Sequence, residues 1–449
     1  MTDIPNSVLF DKCIVVVGSG FVSKKFIFDK ATELGVRIVL VDLPGSWASD
    51  LVEYFIPVDT VDHENAAEFA VRAILSLHIH VDGVVTFWED DVPLCAQIAS
   101  RLRKIGNSYE STLICRSKYL TRNAMERVGL PVPKYHVIRN SSDLEDATSK
   151  VPFPSVLKPA HGAEAEGATK CATVEDVRRA YKKWNSILTA DHNTIYTQGN
   201  DFILEQYLDG HEVDVDLLLQ NGRVVFSSVM DNLPTNEPDF VNTGSILPSV
   251  LSPEKQRELV SLAARTSVEA VGLRWGAVHV EMKYTTNGGP HIVEVNGRMC
   301  GGSYCKWIRA VWNFDFVEAS FRACCGLDAS ELSCPTFGPS AIPLTNLCGV
   351  FILSDHKDGV ITFEDMERFL AMGSDKRVFD AYWDVDGPYE VDGSKPGREE
   401  LGGLTTCGAS SANAIQNLLE VLNPQLGIIP HFLFAKRTIG LSDKSITAV

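Results

Sequence analysis

Residues 276–298 read GAVHVEMKYTTNGGPHIVEVNGR. Two alternating apolar runs flank Asn287-Gly288, the dipeptide whose turn best matches the twist of a two-stranded ribbon. With that turn Thr286 faces Gly289, and counting outward sets Glu281 opposite Glu294 and His279 opposite Asn296. Side chains alternate with period two. Val278, Val280, Met282, Val293 and Val295 are therefore expected in the core. His279, Glu281, Lys283, Glu294, Asn296 and Arg298 share the other face, with Lys283 read as a solvated member. Two carboxylates facing each other across a ladder repel and call for compensation. A divalent cation supplies it: Mg²⁺ takes oxygen ligands, here Glu281, Glu294 and Asn296, and completes its shell with water and substrate phosphate. Arg298 stands two residues further on, placed to hold an anion beside the metal.

Upstream, Pro154–Pro159 reads as a strand ending in Lys158 and running into the small-residue loop 160–168. A lysine beside such a loop cradles polyphosphate through its ammonium and the loop N–H groups, although the GxxxxGK[ST] pattern is absent. Phe202–Leu208 reads as a strand running into Asp209-Gly210-His211-Glu212. Exposed backbone at that junction suits an adenine edge, and the acid suits ribose hydroxyls.

The first hundred residues have an α/β rhythm. Strand Val15–Val17, the turn Gly18-Ser19-Gly20, a helix to Leu34, strand Arg37–Asp42, helix 64–77 and strand Val81–Thr86 predict a small doubly wound parallel sheet. Gly18-Ser19-Gly20 with Asp42 resembles a dinucleotide fingerprint, but Ser23 stands where a third glycine belongs. A tight strand-to-helix turn explains the two glycines.

At 449 residues the chain exceeds one usual core, which predicts several domains. A formal charge of −17 argues against nucleic acid as a partner. No uninterrupted apolar run reaches membrane-spanning length, and the first residues lack a basic leader, so a cytoplasmic protein is expected. The 11 cysteines include no CxxC pair and read as reduced, buried thiols rather than a zinc site.

Taken in order, these motifs resemble the ATP-grasp superfamily, and within it the carboxylate–amine ligases that make dipeptides. Glu281 with the Glu294-Val-Asn-Gly-Arg298 run carries most of the resemblance, with Arg116-Ser117-Lys118 and Gly129-Leu-Pro-Val-Pro133 leading into it. The resemblance implies an ATP-grasp α/β architecture. Its parts are an amino-terminal domain (1–115), a helical connector (116–150), a lid (151–209), a catalytic subdomain (210–330) and a carboxy-terminal α+β subdomain (331–449). It implies ATP and Mg²⁺, with Mn²⁺ as a substitute, and a homodimer by family habit. Lys118 and Lys158 would reach the phosphates. Glu205, Gln206 and Leu208 would hold adenine, the last two through backbone, and Glu212 would hold ribose. Glu281, Glu294 and Asn296 would bind metal, and Arg298 would steady an acyl phosphate. Glu89 would take a substrate amino group, with Asp90 and Asp91 favouring a further cationic group. His279 is the candidate base or orienting residue. Gly301-Gly302 stands where some dipeptide ligases carry a bulky wall, which implies a roomier pocket. The implied reaction joins a carboxylate to an amine through an acyl phosphate, both expected to be amino acids. The alternatives are a biotin-carboxylase-like or purine-pathway ligase, or a nucleotide-binding module without turnover.

Overall fold

The computed structural model describes residues 7–59, 63–162, 165–190, 200–235, 237, 240–354, 359–385, 387–391 and 400–422. The amino-terminal part is a four-stranded parallel sheet in the order Tyr54–Pro57, Arg37–Asp42, Cys13–Val17, Gly83–Thr86. Its central strand, CIVVV, is buried along its whole length, as a parallel strand covered on both faces requires. Helix Lys25–Leu34 ends at Gly35 in the left-handed conformation, with φ 70°. The strand at 54–57, short and half-buried, carries little sequence signal.

The Gly-Ser-Gly turn has a packing role. A Cβ on Gly18 would lie 1.8 Å from Asp91 Oδ2, and one on Gly20 would lie 2.7 Å from the Trp88 ring. Asp42 accepts hydrogen bonds from Ser19 N (3.1 Å), Ser19 Oγ (2.5 Å), Leu43 N (2.8 Å) and Ser46 Oγ (2.6 Å). It ties the turn together.

A second, antiparallel sheet runs Tyr135–Ile138, Phe202–Gln206, Ser155–Pro159, Thr169–Cys171. Helix Val174–Ala190 covers it through Val177, Tyr181 and Trp184. The connector thus contributes the edge strand of the lid sheet.

The largest sheet has eight strands, in the order Gly289–Asn296, Gly276–Thr285, His211–Gln220, Arg223–Asn232, Gly244–Leu247, Asn346–Leu353, Glu400–Gly408, Val378–Trp383. It runs without a break from the hairpin into the carboxy-terminal segment, because strand 244–247 pairs with 346–353. Helices Tyr304–Trp312 and Phe316–Cys324, with the link between them, bury Trp307, Phe321 and Phe314 in the core shared with the amino-terminal sheet.

The hairpin itself departs from the expected turn. Glu281 pairs with Glu294 and His279 with Asn296, as counted from the sequence. Nearer the turn Thr285, not Thr286, faces Gly289, and a register shift follows Glu281. The loop is one residue longer than expected, and a bulge at Val293 restores the register. The bulge also exchanges side chains: Ile292 is fully buried, whereas Val293, expected in the core, is half-buried.

Candidate active site

Lys118 opens helix Lys118–Arg127, capped by Ser117, whose side chain accepts from Leu120 N. One helical turn on, Arg122 lies on the same face and is fully buried. Its Nε donates to Glu205 Oε1 at 2.7 Å and its Nη2 to Glu205 Oε2 at 3.3 Å. Nη2 also donates to the carbonyl of the bulged Val293, at 2.8 Å. Lys158 Nζ meets Glu205 Oε2 at 2.7 Å from the lid strand. Burial alone would raise the Glu205 pKa, but Arg122 and Lys158 outweigh it and bring the carboxyl down to about 2. Burial lowers the Lys158 pKa, opposed by Glu205. The Glu205 carboxylate, expected beside an adenine, is engaged here by two cations. Arg122, absent from the sequence reading, is the residue that holds it.

Lys118 Nζ donates to Glu294 Oε1 at 2.9 Å and lies 3.5 Å from the Gly162 carbonyl of the lid loop. Glu281 and Glu294 face each other, and the pair is not symmetric. Burial followed by Glu294 raises Glu281, while Lys118 overcomes the burial of Glu294 and lowers it. The lysine ammonium thus supplies positive charge at one of the two opposed carboxylates. Among the described residues no cluster of three or more His, Cys, Asp and Glu side chains could itself hold a metal. Two carboxylates with the buried Asn296 beside them nevertheless suit Mg²⁺, which keeps much of its water shell and shares substrate phosphate.

The polar face continues onto strand His211–Gln220, where Glu212, Asp214 and Asp216 pair with Lys283, Glu281 and His279. Lys283 Nζ lies 3.2 Å from Glu212 Oε2. It is not the solvated residue expected, since its side chain is largely covered and engages the acid assigned to ribose. His279 Nδ1 lies 2.9 Å from Asp216 Oδ1. Burial would lower the imidazole pKa, but Asp216 and Asp214 prevail and carry it up to about 9. A protonated imidazole donates and orients, which favours the orienting role of the two expected for His279.

At the other end of the hairpin Arg298 Nε stands 2.8 Å from Glu89 Oε2, and Arg116 Nη1 stands 3.1 Å from Glu89 Oε1. Both contacts are off the N–H directions, so neither buried Glu89 oxygen has a hydrogen bond. Glu89 is held by charge between two guanidinium groups. Arg116 Nη2 donates to Asp90 at 2.6 Å. Asp91 is buried against the Gly18 turn, and burial followed by Asp42 and Asp90 pushes its pKa up to about 8. Neither acid is presented to an extra cation as the sequence suggested. A Cβ at Gly301 or Gly302 would meet nothing within 4 Å. At the hinge the Gln206 N–H is spent on the Lys134 carbonyl, at 2.8 Å, and Leu208 is half-buried one residue beyond Tyr207.

The structure therefore gathers Lys118, Lys158, Glu205, Glu212, Glu281, Glu294, Asn296, His279, Arg298 and Glu89 through direct contacts and pairings along one polar face. The missed members are Arg122, Arg116, Asp214 and Asp216. Arg122 had a signal in its four-residue spacing from Lys118. Asp214 and Asp216 had one in their alternation with Glu212.

No helix among the described residues is long and apolar enough to cross a membrane. The ATP-grasp domain family model matches residues 151–306, and the ATP-grasp N-terminal domain model matches residues 28–103. Carnosine synthase 1 of Homo sapiens is 33% identical over 335 residues, which cover 70% of this chain and 40% of that protein. Carnosine synthase 1 of Gallus gallus is 35% identical over 361 residues, covering 77% of this chain and 38% of that protein. This chain thus spans well under half the length of these curated relatives. The crystal structure of an L-amino acid ligase from Bacillus licheniformis superposes with a TM-score of 0.72 at 21% identity, covering 92% of this chain and 98% of that one. The two family models and the carnosine synthase relatives agree: the chain belongs to the ATP-grasp superfamily.

Proposed function

We propose that this chain is an ADP-forming ligase that joins a carboxylate to an amine, both amino acids, so that the product is a dipeptide. The observation that carries the reading is the polar face of the hairpin: two opposed carboxylates with a lysine on one of them, and an arginine at its far end. ATP and the substrate carboxylate are both anions, so charge neutralisation is the main service required. Lys118 and Lys158 are the cations for the phosphates. Glu281, Glu294 and Asn296 would hold Mg²⁺, which when bound neutralises phosphate charge.

In the proposed sequence a carboxylate oxygen attacks the γ-phosphorus and ADP leaves. The amine nitrogen then attacks the acyl carbon, phosphate leaves, and the nitrogen gives up a proton. Arg298 leaves Glu89 to hold the acyl phosphate and the tetrahedral intermediate. Glu89, freed on one side, takes the ammonium of the carboxylate substrate. His279, fixed by Asp216, donates a hydrogen bond to the same region. The lid strand bearing Lys158 excludes water, which would otherwise hydrolyse the acyl phosphate.

The test is ADP and phosphate release with Mg-ATP over a panel of amino acids, singly and in pairs, with products read by mass. Pair-dependent release and a product lighter than the sum of the pair by one water are expected. Release with bicarbonate and no amino acid pair would move the chain to carboxylase chemistry, and ATP binding without ADP release would make it a non-catalytic module.

A further inference from the structure

The cationic side chains around the hairpin are matched. Lys118 meets Glu294, Lys158 and Arg122 meet Glu205, Lys283 meets Glu212, and Arg116 and Arg298 meet Glu89. Lys24 breaks this pattern. It closes the short turn Val22–Lys24 that follows the Gly-Ser-Gly loop. That loop lies at the carboxyl end of strand Cys13–Val17, the end at which open parallel sheets receive ligands. The Lys24 stem runs past Gly20, where a Cβ would lie 2.8 Å from Lys24 Cδ, and its Nζ stands 5.9 Å from the centre of the Trp88 ring. Trp88 precedes Glu89, so this lysine is carried to the Arg298 end of the site. Among the described residues no acid forms an ion pair with it.

Its electrostatic surroundings agree with that placement. Burial lowers the Lys24 pKa first and the charge of Arg298 lowers it further, with Glu89 acting in the opposite sense. The cations that act on Glu294 are instead Lys118, Lys158 and Arg116. Lys24 therefore belongs to the substrate end of the site and not to its phosphate end. A half-buried ammonium beside an arginine is costly to hold without an anion. ATP's phosphates belong to the two lysines, and the carboxylate being activated belongs to Arg298. One reactant is left whose charge has no partner.

We propose that Lys24 binds the carboxylate of the amine substrate, which makes the nucleophile an amino acid and excludes simple amines. The inference rests on the ligase reading and deepens it. A carboxylate carried elsewhere on the activated substrate has the same chemistry, and the roles of the two reactants separate the two sources. A carboxamide keeps the amine but cannot be phosphorylated, so it enters only as nucleophile.

The experiment measures ADP release by the unmodified enzyme and by Lys24→Met and Lys24→Arg. The nucleophile from the active pair is offered as the free amino acid and as its carboxamide. For the unmodified enzyme the carboxamide should raise the nucleophile KM about 10- to 100-fold, the range of a charge-assisted hydrogen bond. Lys24→Met should raise the KM for the free amino acid by the same factor, should remove the difference between the two forms, and should leave the KM for ATP unchanged. Lys24→Arg should restore most of the discrimination. An unchanged nucleophile KM in Lys24→Met overturns the inference, as does a KM increase confined to the activated substrate. Absence of pair-dependent ADP release from the unmodified enzyme sinks the ligase reading, and this inference with it.

Discussion

Glu205 and Glu89 each sit between two cations, one on the lid sheet and one at the far end of the hairpin, yet they are held in different ways. Glu205 is joined to Arg122 and Lys158 by contacts of 2.7 Å, and its second bond to Arg122 makes a fork. Glu89 lies at similar distances from Arg116 and Arg298 but has no hydrogen bond to either. The forked arrangement resists rearrangement, because each bond broken leaves a buried charge. The off-axis arrangement gives up less when one guanidinium turns to a ligand. In this chain a carboxylate between two cations makes a clamp that joins lid to hairpin in one place and a looser charge contact in the other.

The largest effect that would break this comparison is on stability. Arg122→Met removes one side of the clamp and leaves Glu205 buried with Lys158 alone. Loss of one partner of a buried pair costs about 3–5 kcal/mol. Urea unfolding should show a loss of unfolding free energy of that size, and a loss below about 1 kcal/mol would mean that the clamp is not structural.

Next comes Arg298→Met, whose effect should fall on turnover. Glu89 keeps Arg116, so folding should change little. On the proposed reading the variant loses one preorganised cation at a developing negative charge, worth about 10²–10³-fold in kcat. A variant with normal turnover, or one that lost stability instead, would erase the difference between the two ends.

How far the sequence foretold these ends follows from how local each signal is. The opposition of Glu281 and Glu294 was legible because period-two alternation and an Asn-Gly turn are local. The count succeeded, however, because two departures cancel: the loop gained one residue and Val293 bulged. Nothing in an apolar His-Ile-Val run says which residue will bulge, so the exchange of Val293 for Ile292 in the core was hidden. The parallel sheet and lid were legible for the same local reason. The joining of strand 346–353 to 244–247 was not, since that pairing spans about a hundred residues and has no local signature. Arg122 sits in a helix whose residues are mostly polar, where the sequence alone does not rank which arginine turns inward. Lys283 looked like a wet residue because its partner, Glu212, lies on a strand distant in the chain.

The smallest effect is the acid dependence of the clamp, and it sharpens the comparison most directly. The Glu205 carboxyl is near 2 in the folded protein, against about 4.3 in an unfolded chain. Its folded pKa is depressed, so the unfolded state binds the proton more readily. The stabilisation is fully present above about pH 4.3 and is lost as pH falls towards about 2, at most about 3 kcal/mol across that window. Glu205→Gln removes the titration while keeping the shape, so its stability should fall less steeply than that of the unmodified protein between about pH 4.5 and 2.5. The difference between the two urea midpoints across that range is the measurement. Parallel profiles would mean that Glu205 takes up its proton at an ordinary carboxyl pKa, and the clamp would then be no tighter than the loose charge contact around Glu89.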